Sequence, residues 1–235
     1  MFSSIVLIFE LIGTVAFAVS GAMVGLRKKM DIFGIFVLGL CTAVGGGIIR
    51  DVVLGRTPPA SFVHPIYAAV AALAVIPTFF PFWRDLIEKK KLHYDRMMLA
   101  MDSLGLGIFT VVGVRTAFLY VEDPSLYLLI FVGVITGVGG GVMRDVMAGD
   151  QPYIFRKHFY ACASIIGALV CVSMWNTGAA AGIGPDEVLT GSMALAAERA
   201  QYSAMAAGAL TVFILRLLAA HYEWSLPHPG RTDGI

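Results

Sequence analysis

The chain has 235 residues, of which 58% are hydrophobic and 14% charged, with a mean hydropathy of +0.80. That balance excludes an ordinary water-soluble domain and predicts an integral membrane protein made mostly of apolar spans with short connections. A formal net charge of +1 offers no basic surface for nucleic acid, and Cys41, Cys162 and Cys171, all inside apolar runs, have neither the number nor the spacing of a disulfide framework or a metal site.

A membrane span needs about 20 apolar residues, and seven candidates follow one another. The first runs from about Ser4 to Leu26 and stops at Arg27-Lys28-Lys29; Met1-Phe2-Ser3-Ser4 lacks the positive start of a signal peptide, so the segment is expected to stay in the protein. The second, about Asp31 to Leu54, contains Gly45-Gly46-Gly47 and ends before Pro58-Pro59. The third covers about Val63 to Trp83 and ends among prolines and aromatics typical of an interface. A polar seam, Arg84 to Arg96, precedes the fourth span, about Met97 to Tyr120. The fifth, about Ser125 to Ala148, carries Gly139-Gly140-Gly141, and the sixth runs from about His158 to Trp175. A loop of small residues and Pro185-Asp186-Glu187 lead to a seventh span at about Arg199 to His221, with Val188 to Ala197 as an interfacial helix or an early turn of it.

The halves repeat. Glu10, Gly13, Phe17 and Gly21 recur in the fourth span as Asp102, Gly105, Phe109 and Gly113, with the same steps. Gly39, Thr42, the triple glycine, Arg50-Asp51, Gly55 and Pro58 recur as Gly133, Thr136, the second triple glycine, Arg144-Asp145, Gly149 and Pro152. Phe62, Tyr67 and Ala68 recur as Phe155, Tyr160 and Ala161. The expected fold is therefore an all-α membrane protein of seven transmembrane helices: one three-helix repeat at 4–83, a second at 97–175, and a seventh helix at 199–221. Three is odd, so the second repeat enters the membrane in the opposite direction, and inverted repeats place their binding or conduction site near mid-membrane at matched broken helices. Most Lys and Arg fall on the side of the first-to-second, third-to-fourth and fifth-to-sixth connections and the C-terminus, which predicts a cytoplasmic C-terminus and an outward N-terminus.

Gly45 to Gly47 and Gly139 to Gly141 predict breaks in their helices, because each Gly costs about 1 kcal/mol of helix propensity and freed backbone survives at membrane depth only inside protein or beside a water-filled cavity. Charges at such depth cost roughly 2.5–3.5 kcal/mol each and mark ion or substrate paths by default. Arg50, Asp51, Arg144 and Asp145 lead the candidates; each Arg can also pair with the adjacent or symmetry-related Asp and cap a broken helix. Glu10 and Asp102 face either the pathway or the headgroups. The small residues below them point to tight helix packing. Arg115, near the end of the fourth span, reads as a snorkelling side chain. The five histidines show no metal-ligand spacing, and no Walker lysine or dinucleotide loop is present, so nothing reads as an enzyme.

Seven spans with GGGxxRD in the second and fifth resemble the prokaryotic branch of the trimeric intracellular cation channel family, whose members were earlier labelled glycine transporters; the likeness covers about Glu10 to His221. It implies a homotrimer with one water-filled pore per subunit, lined chiefly by the first, second, fourth and fifth helices and kinked at the two triple glycines. It also implies permeant K+ or Na+, no cofactor, and membrane lipids and a second and third copy of the chain as partners. On this chain the pathway residues would be Arg50, Asp51, Arg144 and Asp145, with Thr42, Thr136, Glu10 and Asp102. Inverted repeats also serve transporters, so a secondary transporter of a small amino acid such as glycine is the alternative.

Overall fold

A computed structural model describes residues 4–80, 83, 91–156, 159–180 and 192–224. It is all helical there: α1 (Ser4–Arg27), α2 (Ile32–Val53), α3 (Ala60–Val63), α4 (Ile66–Val75), α5 (Lys91–Tyr120), α6 (Leu126–Met147), α7 (Tyr153–Arg156), α8 (Tyr160–Ala180) and α9 (Ser192–His221). Among the described residues six helices are long and apolar enough to cross a membrane. The third expected span is different, because Pro65 starts α4 late and Pro77 tightens its end into a 3₁₀ turn, Ile76–Phe79. Among the described residues the apolar helix there runs Ile66–Phe79, less than the roughly 20 residues of a full span.

Local signals set the helix ends, and they too come in pairs. Asp31 caps α2 by accepting the Gly34 N–H at 2.7 Å, and Ser125 caps α6 by accepting the Leu128 N–H at 3.2 Å. Both helices finish on a left-handed glycine, Gly55 and Gly149, each with φ of +69°. The next N–H then folds back, from Arg56 to Asp51 O at 2.7 Å and from Asp150 to Asp145 O at 2.8 Å. The fourth span begins at Lys91 rather than Met97, because charged side chains extend a helix beyond the bilayer without loss. α9 begins at Ser192 rather than Arg199 and so absorbs much of the stretch read as an interfacial helix. Residues 84–90 of the seam, His158, Pro185-Asp186-Glu187 and 225–235 lie outside the described residues.

The triple glycines do not break their helices: α2 and α6 run unbroken through them. What the glycines permit is contact. α2 and α6 pack directly on each other. A Cβ on Gly46 would collide with the Thr136 carbonyl oxygen, and one on Gly140 with the Thr42 carbonyl oxygen. A Cβ on Gly139 would come within 3.1 Å of the Gly46 Cα. Gly46 thus meets the counterpart of Thr42, while Gly140 meets Thr42 itself. The same exchange joins α1 to α5, where Gly13 faces Phe109, Gly105 faces Phe17, and the two rings lie 5.3 Å apart. Such reciprocal contacts between helix stretches running in opposite sequence directions are what a two-fold axis across the bundle produces. α9 stands outside this symmetry, packed on α8 and α5.

The three glycines of each run are unequal. Gly46 abuts backbone that cannot move aside, whereas a Cβ on Gly47 would meet nothing nearer than the Arg50 guanidinium at 3.9 Å. Gly46→Ala and Gly140→Ala are each expected to destabilise the protein by about 1–3 kcal/mol through overpacking. Gly47→Ala should be neutral or gain up to about 1 kcal/mol of helix propensity. Thermal unfolding in detergent measures all three, and an equal loss at Gly46 and Gly47 would contradict the close approach.

Candidate functional site

Each Arg-Asp pair closes on itself. Arg50 donates from Nε to Asp51 Oδ1 at 2.8 Å, and Arg144 donates from Nε to Asp145 Oδ1 at 2.8 Å. The second oxygen of each Asp ties down the chain that follows the helix. Asp51 Oδ2 accepts the Ala60 N–H at 2.8 Å and Asp145 Oδ2 accepts the Tyr153 N–H at 2.9 Å, so each supplies an acceptor to the first turn of α3 or α7. The expected pairing with the adjacent Asp is therefore present, but the helix it caps is the short one beyond the loop.

Beyond this shared core the two ends diverge. At the end holding the N-terminus, Glu10 accepts a hydrogen bond from the Tyr67 hydroxyl and forms no ion pair among the described residues. Glu10, Arg50, Ala60 and Tyr67 line two overlapping cavities. The outer one, of about 260 Å³, is completed by Arg56, Arg115, Thr116 and Tyr120. The inner one, of about 40 Å³, reaches Thr14, Ala43, Gly47 and Phe109. Water follows polar walls of this kind when the space exceeds one probe sphere, which both do.

At the opposite end the counterpart groups are locked. Asp102 accepts from Arg144 Nη1 at 2.6 Å, and the Ser20 hydroxyl takes the same donor. The guanidinium lies over the Tyr153 ring, 5.2 Å from its centre. Arg144 is 0% exposed and Asp102 1%. Met23, Tyr94 and Met98 fill the surrounding core, with the Met98 sulfur 3.6 Å from Ser20 Oγ. Among the described residues Arg144 Nη2 has no hydrogen-bond partner, and it lies with the Tyr160 hydroxyl and Asp102 Oδ1 around Gly141. The ends are also latched differently: Arg56 stacks on Tyr120 at 4.7 Å, whereas the matched positions hold an ion pair, Lys28 to Asp150.

Of the sequence candidates, the structure brings Glu10, Gly47, Arg50 and Asp51 together on a cavity, and Asp102, Gly141, Arg144 and Asp145 in a sealed network. Gly45, Gly46, Gly139 and Gly140 sit in helix contacts instead. Thr42 and Thr136 donate to Leu38 O and Val132 O at 2.6 Å and pack against Gly21 and Gly113. Arg216 was not among the sequence candidates; it is 3% exposed and covers Tyr160 at 4.7 Å. Its signal was a lone Arg within the apolar run Val212 to Ala220.

These features define a polytopic helical membrane protein with a two-fold internal repeat and paired Arg-Asp centres on the facing helices. A family model described as a glycine transporter matches residues 7–83 and again 99–176. A UPF0126 membrane protein of Vibrio cholerae is 33% identical over 225 residues, covering 96% of this chain and 83% of that protein. The UPF0126 inner membrane protein YadS of Escherichia coli K12 is 38% identical over 168 residues, 72% of this chain and 78% of its own. Among solved structures, a TRIC orthologue from Rhodobacter sphaeroides superposes with a TM-score of 0.76 at 30% identity, covering 94% of this chain and all of that one. A TRIC cation channel from a study of conductance gives 0.74 at 34%, covering 97% and 98%. The chain belongs to the trimeric intracellular cation channel family, in its prokaryotic branch.

Removing one partner of a buried ion pair costs about 3–5 kcal/mol, because the other charge stays buried. Asp102→Asn is therefore expected to lower the unfolding temperature sharply. Glu10→Gln, which alters one hydrogen bond at a cavity wall, should cost about 1 kcal/mol. Equal effects would show that the two ends are not built differently.

Proposed function

We propose that the protein is a passive channel for monovalent cations, K+ and Na+, with one water-filled pathway in each subunit of a homotrimer. The observation that carries this reading is the polar cavity beside Glu10 and Arg50, which runs inward along the two-fold crossing between α1, α2 and α5. The relatives of known structure are cation channels, one of them described as trimeric. The exposed apolar stripe Ile5, Ile8 and Ile12 on α1 suits lipid or a neighbouring subunit. The distribution of Lys and Arg favours a cytoplasmic C-terminus, and in that orientation the cavity faces the outer side of the plasma membrane.

In this reading the structure is a closed state. The cavity ends against Phe109, Phe17 fills the space between Gly105 and Gly140, and the cytoplasmic half is sealed by Arg144 and Asp102. Opening would bend α2 and α6 at Gly45 to Gly47 and Gly139 to Gly141, where helix propensity is weakest. No carbonyl ladder is present in the sequence, so discrimination between K+ and Na+ should be weak. Purified protein in planar bilayers should give unitary currents that reverse near the cation equilibrium potential under a KCl gradient, and Arg144→Gln should raise open probability several-fold. Absence of cation-selective current, together with saturable counterflow of glycine in proteoliposomes, would overturn the channel.

A further inference from the structure

The outer cavity holds more positive charge than the fold requires. Arg50, Arg56 and Arg115 line its wall against a single carboxylate, Glu10, whose second role is to accept from Tyr67. Arg50 is neutralised by Asp51 behind it. Arg56 has an aromatic face, Tyr120, but no ion pair among the described residues. Arg115 has less still: no hydrogen bond, ion pair or ring contact is made by its guanidinium among the described residues, and its Nε is shielded from solvent without a partner. A half-buried guanidinium with an unsatisfied donor is costly unless something accepts from it.

The internal repeat shows that the shared backbone does not require arginine at the positions of Arg115 and Arg56, whereas Arg50 recurs as Arg144. At the opposite end the position of Arg115 is held by Met23, fully buried, and that of Arg56 by Asp150. The same backbone is stable with an apolar and an acidic residue there. The cavity of about 260 Å³ is far larger than one water molecule needs, yet below the usual range for drug-sized ligands. Guanidinium groups offer forked donors that match the oxygens of a tetrahedral anion.

We propose that the outer cavity binds a phosphate group, held by Arg115 and Arg56 at its mouth with Arg50 at its base. The group is either soluble phosphate or the phosphate of a lipid headgroup. The site shares its cavity with the proposed pathway, but binding is measured without conduction, so either reading can fail while the other holds.

The test uses the full chain. In detergent at constant ionic strength, exchanging chloride for inorganic phosphate should raise the unfolding temperature saturably by several degrees if the source is soluble. After extraction from vesicles containing phosphatidylglycerol, native mass spectrometry should find that lipid retained if the source is a headgroup. Whichever signal appears should vanish in Arg115→Gln, weaken in Arg56→Gln and survive in part in Arg115→Lys. Loss in all three would instead point to a general dependence on folding and would overturn the site, as would the absence of both signals in the wild type or their persistence in Arg115→Gln. Should Arg115→Gln fail to fold, the phosphate-against-chloride comparison and Arg56→Gln decide the matter.

Discussion

Everything in this bundle is arranged around the place where two helix backbones touch. α2 and α6 meet at Gly46 and Gly140 so closely that no side chain fits between them, each glycine lying on the carbonyl of a threonine in the other helix. Apolar side chains gain little from one another when lipid is the alternative solvent, so close van der Waals approach must hold membrane helices together. The contact is reciprocal, and that reciprocity fixes the two-fold relation between the repeats. α1 and α5 then fall into a second reciprocal contact through Phe17 and Phe109.

From this crossing the chain builds two chemically related but unequal centres. The same Arg-Asp couple, and the same tether from Asp to the next short helix, appears at both ends. One methylene separates the outcomes nearby: Glu10 reaches Tyr67, whereas Asp102 engages Arg144. Around them, arginines and a cavity stand at one end, and methionines with Tyr94 fill the other. A symmetric scaffold with asymmetric filling leaves a polar cavity at one end and a sealed network at the other.

Much of this was legible in the residues. The doubled GGGxxRD and the matched spacing of Glu10 with Asp102 pointed to the reciprocal contacts of the two halves, because repeated sequence implies repeated contacts. The purpose of the glycines was misread. Helix propensity describes an isolated helix, where three glycines suggest a break, but the partner backbone across the crossing is what keeps α2 and α6 helical through them. The late start of α4 and its 3₁₀ end could be read from Pro65 and Pro77. The burial of Arg216 could not, since hydropathy counts its charge and not the Tyr160 ring that receives it.

Thiol accessibility distinguishes a glycine-bearing centre open to water from one that is sealed. In a chain freed of Cys41, Cys162 and Cys171, single cysteines at Gly47 and Gly141 would be exposed to a membrane-impermeant thiol reagent from each side in turn. Rapid modification of Gly47→Cys from the side of the N-terminus and protection of Gly141→Cys from both sides are expected. Comparable labelling of Gly141→Cys from the opposite side would contradict the sealed centre.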